Sequence, residues 1–183
     1  RRGEGALEAT LLTPRLRFSD DTLFAATGGR CELKLDGRPV PMDEAVLAAA
    51  GQTLEQAPVA RGCRTYFAFA GGLGLAGALG SVSTDKKAGI GGLGRGEKLA
   101  RGDRLPNVLP QEARVRAGRR LPAELCGCLP DGTAALRVLP GPQPEALGEE
   151  GVEAFFSGEY AVLPESDRMG VRFSGPPVAF AEG

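Results

Sequence analysis

The sequence predicts a mainly β protein, and three observations support this fold class. The apolar runs are short, of strand length rather than helix length. One of them, residues 31–35, alternates between apolar and charged side chains, as a half-buried strand does. Glycine, proline and Asp-Gly pairs separate the runs at intervals of roughly 8–12 residues. Such spacing favours a β-barrel or β-sandwich over alternating βαβ units.

The strands of the first hundred residues are predicted from the turn residues that bound them. Thr13-Pro14 divides the first two runs, Gly28-Gly29 closes the third, and Asp36-Gly37 is a strong hairpin signal. Gly51 and Gly62 each precede a further run. The predicted strands are residues 6–12, 15–18, 23–27, 31–35, 53–54 and 64–70.

The remaining residues have a different composition. Residues 107–122 are bracketed by prolines and carry Arg114, Arg116, Arg119 and Arg120, which indicates a solvated linker or an anion-contacting loop, the linker being favoured. Residues 135–139 and 171–173 are predicted strands, and residues 145–156 are the best helix candidate. We therefore expect residues 1–110 to form one β subdomain that includes a glycine-rich loop, and residues 111–183 to form a linker and the start of a second, incomplete β subdomain.

Charge and hydropathy exclude two classes of partner. The 183 residues carry 22 Lys and Arg against 23 Asp and Glu, so the chain has no basic field for a nucleic acid. No apolar run approaches the roughly 20 residues that span a bilayer. We expect no nucleic-acid or membrane partner and a cytoplasmic location.

The chain contains no histidine, which limits the chemistry that it can perform alone. A Ser-His-Asp triad and a histidine-ligated metal are excluded from these residues, so acid–base work falls to carboxylates, Tyr, Lys, Cys or water. Cys126 and Cys128 would supply half of a thiolate site, but Cys31 and Cys63 lie far from them in sequence. We expect no metal site.

The glycine-rich stretch contains the dinucleotide-binding pattern G-x-G-x-x-G twice, from Gly72 and from Gly89. A dinucleotide fold needs a helix after the glycine turn, whereas five glycines between residues 71 and 80 would each weaken a helix by roughly 1 kcal/mol. Asp85 follows too early to bind a ribose. The stretch is therefore interpreted as a long loop, which either binds a ligand or packs against its own barrel.

The amino-acid sequences of this loop and of two later segments resemble those of one protein family. The motifs are "RTYFAFAGG" (64–72), "GSVST" (80–84), "AGIGG" (88–92), "GDRLP" (102–106), "LRVLPGPQ" (136–143) and "SDRMGVRFSGPP" (166–177). They resemble, in order, the carboxyltransferase-type family that contains the C subunit of bacterial 5-oxoprolinase, allophanate hydrolase subunit 2 and urea carboxylase. Val171 stands where the family usually has tyrosine. Members usually extend further at both ends, so we expect an interior piece, truncated at each end.

The resemblance implies a cyclophilin-like β-barrel architecture and a function in an ATP-dependent 5-oxoprolinase, which opens the lactam of 5-oxoproline to glutamate. The implied partners are a homologous B-like subunit and a third, A-like subunit; the ATP site is not located in this chain. Alternatives within the family are a carboxyltransferase or amidohydrolase acting on urea or allophanate with a biotin-bearing partner, and a non-catalytic regulator that binds a kinase inhibitor.

With the family motifs in view, Asp167 is the candidate catalytic acid or base. The candidate substrate-binding residues are Tyr66, Ser81, Ser83, Thr84 and Arg168. Arg168 would clamp a carboxylate and the hydroxyls would hold a carbonyl; alternatively, Asp167 pairs with Arg168 structurally and Tyr66 belongs to the core. We expect residues 81–84 to face the "SDRMG" motif across a cleft.

Overall fold

The computed structural model describes residues 4–12, 15–107, 110–126, 132–139 and 141–180. The chain separates into two compact units, Arg1–Asp131 and Gly132–Gly183. The first unit carries two antiparallel sheets and the glycine-rich loop, and the second carries a helix and a small hairpin. The expected mainly β architecture is confirmed. The expected division into β subdomains at residue 110 stays a prediction.

Within the described residues, the larger sheet of the first unit has the strand order β1-β8-β3-β6. Its strands are β1 (Leu7–Thr10), β3 (Thr22–Arg30), β6 (Val46–Ala48) and β8 (Arg61–Phe69). The second sheet has the order β2-β7-β4-β5, with β2 (Leu16–Arg17), β4 (Leu33–Leu35), β5 (Arg38–Val40) and β7 (Thr53–Gln56). All of these strand pairs are antiparallel. The sheets therefore need only turns and loops to connect their strands.

The two sheets share one hydrophobic core. Phe67 of β8 is fully buried and lies in register with Ala26 of β3 on one side and Leu7 of β1 on the other. The second sheet contributes Leu33 and Leu54, which are also buried. Because side chains alternate between the faces of a strand, this burial leaves the intervening residues of β8 on the opposite face.

The second unit contains the helix α1 (Gly148–Ser157) and the paired strands β9 (Ala161–Val162) and β10 (Phe173–Ser174). Short 3-10 turns lie at Gln111–Arg116, Ala123–Leu125 and Pro144–Ala146. Among the described residues, no helix meets the length and apolarity needed to cross a membrane.

The structure corrects four sequence predictions. Residues 135–139 form no strand, because they are exposed and pair with no neighbouring strand in the described part of the chain. Gly28 and Gly29 lie inside β3 rather than ending it, at a break in the register with β8. The helix begins at Gly148, after a separate 3-10 turn. The last strand comprises residues 173–174, and β6 and β9 were not predicted.

The segment that was predicted as a linker packs along one edge of the larger sheet. Arg114 forms an ion pair with Asp21 at 2.7 Å, and Arg120 pairs with Glu44. Backbone hydrogen bonds also join the segments 43–45 and 118–121, and Ala113 is buried. In this structure two of the four arginines therefore hold the linker to its own unit.

One of the residues that contact this segment, Asp43, is also bound to β3 through its side chain. Its carboxylate accepts a hydrogen bond from the Thr27 hydroxyl at 2.6 Å and forms an ion pair with Arg30. Burial alone would raise the pKa of Asp43, but the Thr27 hydrogen bond and the Arg30 guanidinium outweigh it and lower the pKa below 3.8. Asp43 therefore stabilises the folded state in its ionised form.

We predict that Asp43→Asn lowers the free energy of unfolding by about 1–3 kcal/mol at pH 7, because Arg30 loses a charged hydrogen-bond partner. Since the folded pKa is depressed, the contribution of Asp43 is present above its ordinary pKa of 3.8 and is lost as the pH falls through the folded value. Urea unfolding at pH 7 and at pH 3 measures the difference. A stability loss of equal size at both values would contradict the assignment; the exposed Asp20→Asn is the control, with less than about 0.5 kcal/mol expected.

Two segments of the glycine-rich loop cross at Gly91, which lies against Ser83 and Thr84. A Cβ atom at Gly91 would lie 1.8 Å from the Ser83 carbonyl oxygen, and Gly91 has a φ of +77°. Gly94 has a similar φ of +83° but open space around it. Gly91→Ala should lower the opening free energy of the loop by about 2–5 kcal/mol, from backbone strain and overpacking together, and Gly94→Ala by about 1–2 kcal/mol, from strain alone.

Hydrogen exchange of the Gly92 amide, which donates to the Val82 carbonyl oxygen at 3.0 Å, reports this opening. Equal loss of protection in the two alanine variants would mean that the close approach to Ser83 has no energetic role.

Candidate functional site

Tyr66 lies on the open face of the larger sheet. Its neighbours along β8, Thr65 and Phe67, are fully buried, whereas Tyr66 is 39% exposed. In register it lies between Glu8 of β1 and Thr27 of β3. Directly paired residues share a face of the sheet, so the phenol is flanked by a carboxylate and a hydroxyl. The alternative that Tyr66 belongs to the core is wrong.

The backbone below Tyr66 requires glycine at position 28. A Cβ atom there would lie 2.5 Å from the Arg64 carbonyl oxygen and 3.1 Å from Cδ2 of Tyr66, and its φ is +96°. Arg64, two residues before Tyr66 on the same face, places its Nε atom 3.4 Å from Oε1 of Glu8. Glycine at position 28 thus leaves room for the Arg64 backbone and the Tyr66 ring, beside the ion pair of Arg64 with Glu8.

The glycine-rich loop begins where β8 ends and returns to the same place. The side-chain Nδ2 of Asn107 donates to the carbonyl oxygens of Ala70 at 2.9 Å and Gly72 at 2.6 Å. The amide of Gly74 also donates to the Pro106 carbonyl oxygen at 2.8 Å. Asn107 was missed by the sequence analysis, because a single asparagine after a proline carries no distinctive pattern. It closes the base of the loop.

The hydroxyl-bearing segment 81–84 is ordered by local hydrogen bonds, and no helix forms between residues 70 and 107, as the rejection of a dinucleotide fold predicted. The Ser81 hydroxyl accepts a bond from the Ser83 amide at 3.1 Å. Asp85 Oδ1 accepts bonds from the amides of Lys87 and Ala88, at 2.9 and 3.0 Å, and so caps the following turn. The three predicted ligands Ser81, Ser83 and Thr84 are all exposed.

The other predicted site residues, Asp167 and Arg168, lie together in a tight turn between β9 and β10. Oδ1 of Asp167 accepts hydrogen bonds from the amides of Met169 at 2.7 Å and Gly170 at 3.1 Å. The Asp167 amide donates in turn to the Gly170 carbonyl oxygen at 3.0 Å. Both side chains are exposed, and the Asp167 carboxylate has a structural role in the turn.

The structure thus groups the predicted residues by unit. Tyr66 and the segment 81–84 belong to the first unit, and Asp167 with Arg168 belongs to the second. Their roles in binding and catalysis, and the expected cleft between them, stay predictions. Each group presents side chains suited to a small polar substrate: hydroxyls on one unit, a cation and a carboxylate on the other.

The cysteines do not assemble a metal centre in the described part of the chain, where no group of three or more His, Cys, Asp or Glu could hold an ion. Burial raises the pKa of the Cys31 thiol, which lies 3.9 Å from the Met42 sulfur and 3.8 Å from the Thr65 hydroxyl. Cys31 is therefore a thiol of the core region. Cys128 lies outside the described residues.

Comparison with known proteins places the chain among carboxyltransferase domains. The family model "Carboxyltransferase domain, subdomain A and B" matches residues 1–182. The chain is 37% identical over 170 residues to the C subunit of 5-oxoprolinase from Escherichia coli K12, covering 93% of this chain and 52% of that protein. It is 33% identical over 183 residues to urea amidolyase of Saccharomyces cerevisiae, covering 96% of this chain and 10% of the relative.

Solved structures show the same similarity. The crystal structure of TTHA0988 in space group P6522 matches with a TM-score of 0.79 and 35% identity, over 96% of this chain and 61% of that one. The urea amidolyase of K. lactis matches with a TM-score of 0.78 and 28% identity, over 98% of this chain and 12% of that one. The chain thus spans about half of the bacterial 5-oxoprolinase C subunit and a small part of the amidolyases. It belongs to the carboxyltransferase-domain family, over subdomains A and B.

Proposed function

We propose that this chain is part of a subunit of an ATP-dependent 5-oxoprolinase, which opens the lactam of 5-oxoproline to give glutamate. The observation that carries the proposal is the 37% identity to the 5-oxoprolinase C subunit of Escherichia coli over 93% of the chain. The protein of the same name in Haemophilus influenzae is 33% identical over the same share of the chain.

The proposed reaction adds water to the ring carbonyl carbon and breaks the carbon–nitrogen bond of the lactam, and the ring nitrogen becomes the amine of glutamate. The amide is stable, so its opening is coupled to the conversion of ATP and water to ADP and phosphate. A protein that supports this chemistry must bind a carboxylate, hold a carbonyl oxygen and move protons. The chain has no histidine, so the proton transfer falls to another group.

The proposed roles follow from the chemistry of the exposed side chains. Arg168 binds the substrate carboxylate through its guanidinium, and Asp167 transfers the proton. The substrate carbonyl and ring amide are held by the hydroxyls of Tyr66, Ser81, Ser83 and Thr84. What supports these roles is accessibility: Tyr66 is 39% exposed, and the others lie in two exposed, hydrogen-bonded turns.

The proposal includes two protein partners: the homologous B-like subunit and the A-like subunit. ATP is consumed by the assembled enzyme, and no residue of this chain is assigned to it. We place the assembly in the cytoplasm. The two bacterial relatives are each named as one subunit of 5-oxoprolinase, which supports a multi-subunit assembly.

A second candidate function is a carboxyltransferase or amidohydrolase acting on urea or allophanate. It is favoured by the 33% identity to yeast urea amidolyase across nearly the whole chain and by the structural match to the K. lactis enzyme. This function would use biotin carried by a partner protein. Measuring activity on 5-oxoproline, urea and allophanate distinguishes the two candidate functions.

We predict that the protein containing this chain, assembled with its A-like and B-like partners, releases glutamate from 5-oxoproline only when ATP is present. Glutamate and ADP are measured together, with urea and allophanate as competing substrates. ATP consumption that depends on urea, or a folded complex that binds a kinase inhibitor without turnover, would contradict the proposal.

Substitutions test the assigned roles. Arg168→Ala should lower kcat/KM by the equivalent of about 2–5 kcal/mol if the charge pair with the substrate is buried. Ser81→Ala should cost roughly 0.5–1.5 kcal/mol, as for one neutral hydrogen bond. Arg116→Ala, an exposed arginine of the linker segment, is the matched control and should change kcat/KM by less than about 0.5 kcal/mol. Equal losses in the two arginine variants would remove the special role of Arg168.

A further inference from the structure

The side chain of Asn107 joins the two ends of the glycine-rich loop. Its Nδ2 group carries two hydrogens and donates to two carbonyl oxygens, that of Ala70 at 2.9 Å and that of Gly72 at 2.6 Å. Both acceptors follow directly after β8. One side chain therefore determines where the loop leaves the sheet and where it returns.

The same side chain leaves its own acceptor unused. Oδ1 of Asn107 is buried and accepts no hydrogen bond from a residue in the described part of the chain. A buried acceptor without a donor destabilises the folded state. Exchanging Oδ1 with Nδ2 would not relieve this, because an acceptor would then face two carbonyl oxygens. The contribution of Asn107 to the folded state therefore lies in its two donated bonds.

The base of the loop is closely packed around these bonds. The Gly74 amide donates to the Pro106 carbonyl oxygen at 2.8 Å. A Cβ atom at Gly74 would lie 3.6 Å from Cβ of Pro106, and a Cβ atom at Gly72 would overlap Oε2 of Glu4. Three segments of the first unit meet here, so the base is a packed junction rather than a free hinge.

The N-terminal residues link this junction to the hydroxyl-bearing segment 81–84. Gly5, next to Glu4, lies against Val82, since a Cβ atom at Gly5 would be 2.7 Å from Cγ2 of Val82. Coupling between distant groups is carried by chains of packed residues. Such a chain runs here from Asn107 through Gly72 and residues 4–5 to Val82, which stands among the hydroxyls.

We propose that Asn107 is a positioning residue for substrate binding. Its two donated bonds hold the base of the loop, so that Ser81, Ser83 and Thr84 are already in place to bind the substrate carbonyl. A segment that is ordered before binding loses less conformational entropy when the ligand arrives. The inference rests on the proposed function for the identity of the substrate. The hydroxyls contact the ligand, and Asn107 acts on it only through the loop.

Asn107→Asp tests the proposal in the full-length protein assembled with its A-like and B-like partners. Aspartate has the same shape as asparagine but, ionised at pH 7, donates no hydrogen bond. Hydrogen exchange of the Gly92 amide, which donates to the Val82 carbonyl oxygen, should become about tenfold faster or more. The kcat/KM for 5-oxoproline should fall by about tenfold or more, because the hydroxyls are displaced.

Gln52→Glu is the matched control. It makes the same change from amide to carboxylate, at a side chain whose Oε1 accepts a hydrogen bond from the Ala49 amide at 2.8 Å. Because a carboxylate also accepts that bond, both the exchange rate and kcat/KM should stay within about twofold of the wild type.

A double-mutant cycle separates positioning from a general loss of stability. Changing Ser81, Ser83 and Thr84 together to alanine should lower kcat/KM by about tenfold or more in the wild type, but by less than about threefold in the Asn107→Asp background. Arg168→Ala should have the same effect in both backgrounds. Asn107→Leu, which removes the donors and the unused acceptor together, replaces Asn107→Asp in the cycle if the latter does not fold.

An unchanged Gly92 exchange rate, or an alanine effect of equal size in both backgrounds, would overturn the proposal. Faster exchange in Asn107→Asp without glutamate release by the wild type would support the role of Asn107 in holding the loop and refute the proposed activity. The two failures are therefore distinguishable.

Discussion

The antiparallel pairing of β3 with β8 is the interaction on which the rest of the first unit depends. On one face it places Phe67 and Phe69 against Ala26 and Phe24, in the shared core of the two sheets. On the other face it places Tyr66 beside Thr27. Because a shift of one residue in register would exchange the two faces, the buried phenylalanines also determine that the phenol is accessible. The end of β8 then fixes where the glycine-rich loop starts.

The glycine-rich loop is ordered by contacts at three places. A long, flexible segment loses conformational entropy when it binds a ligand, which would weaken the substrate binding proposed for residues 81–84. Here Asn107 closes the base, backbone contacts hold the crossing at Gly91, and short hydrogen bonds shape the hydroxyl-bearing segment. The glycines thus permit close chain crossings and tight turns rather than general flexibility. Leu79 is the exception, a residue whose local conformation is unfavourable and whose side chain finds almost no cover in the described part of the chain.

The sequence predicted those secondary-structure elements that depend on residues close together in the chain. The Asp36-Gly37 hairpin, the β8 strand and the helix near residue 150 follow from turn chemistry, alternation and helix propensity. Prediction from the sequence was wrong where contacts between distant segments determine the secondary structure. Gly28 continues a strand because β8 lies against it. Residues 135–139 form no strand because they have no partner strand in the described part of the chain. The hydrogen bonds from Asn107 to the carbonyl oxygens of Ala70 and Gly72 join residues 35 or more positions apart in sequence, and no local sequence pattern predicts them. The family motifs identified the site candidates, whereas the exposed position of Tyr66 emerged only from the register.

We propose that residues 81–84 and the turn at Asp167 and Arg168 bind the same small substrate in the assembled enzyme. A crystal structure of the assembled complex with 5-oxoproline tests it most directly. We expect the ligand carboxylate at about 2.7–2.9 Å from the Arg168 guanidinium nitrogens, with its ring carbonyl within hydrogen-bond reach of a hydroxyl of residues 81–84. A ligand that contacts neither segment, or a complex in which Ser81 and Arg168 lie too far apart to touch one molecule of 5-oxoproline, would contradict the claim.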